Sequence, residues 1–199
     1  PMTKLSVAHD FECANAQSVT RRGPASFLVV TRPDEALNGG VYANSSYYGA
    51  IRLHNPGTIP IQATVTFREG GDIGSWRTVA QRVRQPGQRA PLLAWQPIPE
   101  VEIEQDAANH DYTVHPLVPP GAELDLSSMY WYAASEIAAD LAALAARHPE
   151  LTVTSIATTA EGRAVPLASL GPANAPTLIL SATPQCHEVG SITVMGLLQ

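Results

Sequence analysis

Ile61-Gln-Ala63-Thr-Val65-Thr-Phe67-Arg68 alternates apolar and polar side chains along its whole length. Successive side chains of a strand point to opposite faces, so this period of two commits the segment to a β-strand with one face in a core. Tyr47, Gly49, Ile51 and Leu53 carry a second such face, and Asn55-Pro56-Gly57 between the two runs supplies turn chemistry. Phe27 to Thr31, Trp76 to Val79, Leu92 to Trp95 and Val101 to Glu104 read as further short strands. Gly39-Gly40, Gly70-Gly71 and Pro86-Gly87 punctuate them. Short strands, Gly/Pro turns and no helical period predict a β-sandwich or open barrel; the antiparallel sandwich is the reading taken for residues 1–126.

The grammar changes after Pro119-Pro120-Gly121, where proline restricts both itself and its predecessor and makes a semi-rigid joint. Ser135 to Arg147 is rich in alanine, with Ile137, Leu141 and Leu144 spaced for one helix face. His148-Pro149 ends it. Leu151 to Ile156 and Val165 to Leu170 read as strands around a turn at Thr159 to Arg163. Thr177 to Ser181 reads as a fully apolar strand, and Ser191 to Leu198 as the beginning of a helix. The expected class is α+β with two domains: the sandwich over 1–126, then the truncated start of an α/β domain over 127–199. About seventy residues are too few to cover both faces of an apolar sheet, so the expectation is the N-terminal part of a longer protein. An unpaired sheet edge then predicts self-association.

Charge narrows the partners. Lys and Arg number 12 against 18 Asp and Glu, a net charge of −6, and no basic stripe forms; nucleic acid is excluded. No apolar run approaches a membrane span, and Pro1 to Ser6 lacks the apolar core of a signal peptide. The chain opens on Pro1, as one trimmed at that end would. Cys13 and Cys186 are too few for a disulfide scaffold and suit a reducing compartment, so a cytoplasmic location is expected.

The chemistry sits near the C-terminal end. Thr177-Leu-Ile-Leu-Ser181 runs into Ala-Thr-Pro184-Gln185-Cys186-His187-Glu188 and then Gly190-Ser191. A turn outside the carboxyl end of a strand is where an open α/β sheet places its site, and His187 and Glu188 are strong metal-ligand types. With His148-Pro149-Glu150-Leu151 and Thr159-Ala-Glu161-Gly162-Arg163 upstream, this order resembles the zinc metallocarboxypeptidase family. Phe11-Glu-Cys13-Ala-Asn15-Ala, Tyr48-Gly49-Ala-Ile-Arg52, Asn55-Pro56-Gly57 and Val65-Thr-Phe67 are similar to the sandwich that precedes the catalytic domain in its cytosolic-carboxypeptidase-like branch.

The resemblance implies zinc-assisted hydrolysis of a C-terminal peptide bond, with a peptide or protein C-terminus as substrate. The family's His-x-x-Glu motif and a distant His hold one zinc ion, leaving a position for water. On this sequence Glu188 matches the glutamate and Gln185 the first histidine, while Arg163 matches an arginine on the peptide-binding side. The third ligand, the general base and the carboxylate-binding arginine match nothing up to Gln199, so no catalytic residue is assigned within the chain.

Gln185 departs from the pattern, because a carboxamide oxygen is a poor zinc ligand beside an imidazole nitrogen. Three readings follow: a dead site in a pseudoenzyme, a weakened site favouring a harder metal, or His187 standing in as ligand. The dead or weakened site is taken first, with a non-catalytic sandwich that binds a partner as the alternative function. Plainer roles stand beside these. Glu188 can complement a helix dipole, His187 and Gln185 can be polar surface residues, and Arg163 can pair with Glu161. Cys186 reads as a buried thiol rather than a nucleophile. His54, His110 and His115 read as surface residues, and Trp76, Trp95, Tyr47 and Tyr48 as packing.

Overall fold

The computed structural model describes residues 4–33, 49–68, 79–91, 94–106, 108–172 and 174. The alternation that opens the sequence becomes β6 (Thr64–Arg68), with Val65 and Phe67 fully buried and the residues between them half-buried. β6 is central in a five-stranded sheet ordered β2 (Ser18–Gly23), β3 (Ser26–Val30), β6, β10 (Asp111–Val114), β9 (Glu104–Asp106). A second five-stranded sheet runs β1 (Ser6–Ala8), β4 (Ala50–His54), β12 (Glu123–Ser127), β7 (Val79–Arg84), β8 (Gln96–Ile98). Phe27, Val29, Phe67 and Val114 from the first sheet meet Ile51, Leu53, Leu124 and Leu126 from the second in one buried cluster. The Phe67 and Tyr112 rings stack within it at 5.1 Å. β5 (Ile61–Gln62) and β11 (Leu117–Val118) form a small separate pair.

Not every pairing is antiparallel. β3 and β6 run parallel, because the chain leaves β3, crosses to form β4 in the other sheet, and returns in its original direction. Val101 to Glu104 also departs from its expected strand. Pro99 and Glu100 carbonyls accept the N–H groups of Glu102 and Ile103, closing a single 3₁₀ turn over Glu100–Glu102 before β9 begins. The period of two is lost with it: Val101 and Ile103, which a strand would set on one face, are fully out and buried respectively. Ala94 and Trp95 are not in a strand; β8 starts one residue later. Trp76 to Thr78 and Leu92 to Leu93 lie outside the described residues, as do Tyr47 and Tyr48.

The Asn55-Pro56-Gly57 turn acts as read, while Gly39-Gly40 and Gly70-Gly71 lie outside the described residues. Gly57 N–H donates to Asn55 Oδ1 at 2.9 Å, and Asn55 Nδ2 donates to the Ile59 and Val118 carbonyls. Gly49 is required by space: a Cβ there would stand 2.7 Å from Phe67 Cδ1 and 2.8 Å from Thr31 Cγ2.

Beyond β12, helix α1 (Ala134–Arg147) buries Leu141 and Leu144 with Tyr132, against Ile137, Leu151 and Ala168. β13 (Leu151–Thr158) and β14 (Ala164–Leu170) form a hairpin closed by Gly162 at φ +81°. The expected strand Thr177 to Ser181 and helix Ser191 to Leu198 lie outside the described residues. Among the described residues no helix is long and apolar enough to cross a membrane.

Candidate functional site

The period of two that sends Leu124 and Leu126 into the core sends Glu123 and Asp125 to the opposite face of the second sheet. Cross-strand register then sets Asp125 between Arg52 on β4 and Arg82 on β7, and Glu123 between His54 and Arg84. Arg52 Nε donates to Asp125 Oδ1 at 2.6 Å, and Arg82 Nε to Oδ2 at 2.9 Å. Both Arg82 and Asp125 are sealed from solvent, so each charge depends on its partners.

What covers this face is the start of α1 and the segment before it. Arg82 Nη2 donates to Glu136 Oε1 at 3.1 Å, and its guanidinium lies 4.0 Å from the Trp131 ring centroid and 4.8 Å from that of Trp95. Trp95 Nε1 donates to the Trp131 carbonyl, fixing the two rings edge to face. Glu136 also accepts the Ala133 N–H at 3.1 Å, returning to the position before the helix in half of a capping box. The Ser135 N–H and hydroxyl donate to Glu12, which caps α1 from the loop after β1. Arg89 pairs with Asp140 further along the helix. Arg82 and Glu12 therefore fasten α1 to the second sheet.

Cys13 follows Glu12 with φ 69°, a left-handed conformation uncommon outside glycine. Burial, reinforced by Glu12 and Glu136 and opposed by Arg82 and Arg163, pushes its thiol up to about 12. Arg84 moves down, first by burial and then by the facing charge of Arg52.

Gln185, His187 and Glu188 lie outside the described residues. Arg163 is in the β13–β14 turn, where its guanidinium pairs with Glu161 and its N–H donates to Thr159 Oγ1 at 3.1 Å; both charged side chains are exposed. His115 bridges Glu104, at 3.1 Å from Nε2, and Thr64, at 3.3 Å from Nδ1. Among the described residues no three His, Cys, Asp or Glu side chains are grouped to hold a metal ion, so no zinc-dependent step is built on them. Sequence reasoning missed the Arg82 cluster. The Leu124/Leu126 alternation was its one signal, since a strand with that face inward must turn Asp125 outward beneath something.

Two folded neighbours frame this arrangement. The chain superposes over 87% of its length on a metallo-carboxypeptidase from Burkholderia cenocepacia, with a TM-score of 0.59 at 19% identity. The fold is that of a metallo-carboxypeptidase. A Pseudomonas aeruginosa metallo-carboxypeptidase in complex with (2-guanidinoethylmercapto)succinic acid matches over 82%, with a TM-score of 0.51 at 16% identity. The chain spans 42% and 39% of the length of these two carboxypeptidases, and at such identities the likeness is one of fold. No protein-family model and no curated protein sequence matches it.

Proposed function

We propose that this chain is the N-terminal segment of a metallocarboxypeptidase-like protein, with a β-sandwich over residues 1–126 and the start of the α/β domain over 127–199. The observation that carries the reading is the carboxypeptidase fold across 87% of the chain. The motif order around Thr159 to Arg163 and Pro184 to Ser191 also supports it.

On this reading Glu188 is a zinc ligand, Gln185 stands in the first ligand position, and His187 is the nitrogen donor nearest to replace it. Arg163 contacts the peptide substrate. The third ligand, the base and the carboxylate-binding arginine belong to the part of the carboxypeptidase length that this chain does not span. A peptide C-terminus as substrate is supported by the succinic acid derivative in the Pseudomonas aeruginosa structure, which presents carboxylates as a C-terminus does.

Calorimetric zinc titration of the longest available gene product, with Gln185→His and Glu188→Ala, tests the reading. Binding by the natural sequence that falls at least about tenfold in Glu188→Ala marks a working site. Silence in the natural sequence with binding restored by Gln185→His marks a carboxypeptidase fold that has lost its metal, and moves function to the sandwich. Silence in all three overturns the metal-site assignment.

A further inference from the structure

The apolar packing of the described residues falls into two bodies. The cluster between the two sheets takes no residue beyond Leu126. The cluster that holds α1 to the β13–β14 hairpin, with Tyr132, Ile137, Leu141, Leu144, Leu151 and Ala168, takes none before Tyr132. Between them runs a short connector, in which Trp131 and Ala133 pack into the sandwich against Ala50, with Phe11, Cys13 and Trp95 around them.

What joins α1 itself to the sandwich is polar. Glu136 and Asp140 lie one turn apart and form an acidic stripe beside the apolar one. Arg82 on β7 meets Glu136, and Arg89, just beyond β7, meets Asp140. The Ser135 N–H donates to Glu12 at 3.2 Å. Arg82 is sealed from solvent, whereas Arg89, Glu12 and Ser135 are exposed. Beside these links a cleft of about 360 Å³ separates the first turn of α1 from the second sheet, walled by Phe11, Arg84, Arg89 and Trp131 and by Ser135 and Glu136. Cores leave few voids larger than a water molecule, so this contact is not core packing. Polar contact of this kind lets two bodies move against each other.

We propose that α1 and the hairpin form one body that unlatches from the sandwich as a unit. It pivots at residues 131–133, and Glu12–Ser135, Arg82–Glu136 and Arg89–Asp140 are its latch. Opening there parts the three links and leaves both apolar clusters whole. Trp131 stays in its socket, and Arg82 keeps Asp125 and the two tryptophan faces. The exposed links are screened by salt, so the latch weakens as ionic strength rises. Once undocked, a 14-residue helix on a two-stranded sheet is marginal and loses its protection from solvent. The proposal does not depend on peptidase chemistry.

Hydrogen exchange of the full chain, read by mass spectrometry, tests it. Peptides from α1 and from the hairpin are expected to exchange together, and faster than those from β4, β6 and β12, as a cooperative sub-global unit does. Raising sodium chloride from about 0.1 to about 1 M shortens the Debye length from about 10 to about 3 Å, and speeds this group about threefold relative to the sandwich peptides. Arg89→Met speeds it at low salt and removes part of the salt response, while Arg22→Met, exposed on β2, changes neither. Exchange of α1 with the sandwich in one global step overturns the proposal, and so do unrelated rates in α1 and the hairpin. A fast α1 that ignores both salt and Arg89→Met overturns the latch. If Arg89→Met does not fold, Glu12→Gln decides by the same readout: a faster group supports the latch and an unchanged one sinks it.

Discussion

Arg82 has its charge buried on one side by Asp125 and on the other by Glu136, with tryptophan faces against it. Removing it leaves both carboxylates short of a partner, so Arg82→Ala is expected to cost about 3–5 kcal/mol in urea unfolding. A loss below about 1 kcal/mol would show that Arg52 alone satisfies Asp125. Cys13 makes a pH prediction of known sign. Its folded pKa of about 12 lies above the ordinary 9.0, so the neutral thiol stabilises the fold fully below pH 9.0, and that contribution is lost as pH rises towards 12. Melting temperature should fall more steeply over that window in the natural sequence than in Cys13→Ser, and parallel curves would refute the assignment. The same burial should leave Cys13 slow towards iodoacetamide at neutral pH. None of this was legible in sequence. An arginine in a Gln-Arg-Val-Arg run reads as a solvated face, and only its cover, Trp131 and α1, makes it a core residue.

At the scale of elements, α1 was readable because Ile137, Leu141 and Leu144 keep their spacing over a continuous helical run. Its N-terminal cap was not, since the capping carboxylate of Glu12 comes from far upstream. Glu12→Ala should therefore destabilise the chain by about 0.5–1 kcal/mol, by thermal unfolding, although it lies outside the helix. Gly49 sets the approach of β4 to Phe67, so Gly49→Ala is expected to cost about 1–3 kcal/mol through overpacking. An unchanged melting curve would mean that Phe67 and Thr31 yield at no cost. β6 and β3 were legible from alternation or a β-rich run. β2, with polar Ser18, Thr20, Arg21 and Arg22, and β12, whose alternating face is acidic, were not, because pairing rather than propensity decides them. The 3₁₀ turn at Glu100 was hidden by the strand-like Val-Glu-Ile pattern that follows Pro99.

At the scale of the whole molecule, the two kinds of grammar were visible in sequence, and so was the carboxypeptidase likeness, carried by the order of short motifs. The shared core could not be read, because nothing local tells β4 and β12 that they neighbour each other. Among the described residues the β13–β14 hairpin leaves Ile156 and Leu170 exposed, and the expectation of self-association is tested there. Sedimentation over a concentration series should show a reversible oligomer that Ile156→Glu disperses; a monomer at every concentration would remove the idea. One feature of the sheet order reaches into biosynthesis. β12, the middle strand of the second sheet, is made after all its neighbours. On the ribosome β4 and β7 must wait with facing edges open until Ser127 has left the exit tunnel, so this half of the protein closes late, all at once, and is vulnerable to capture by chaperones until then.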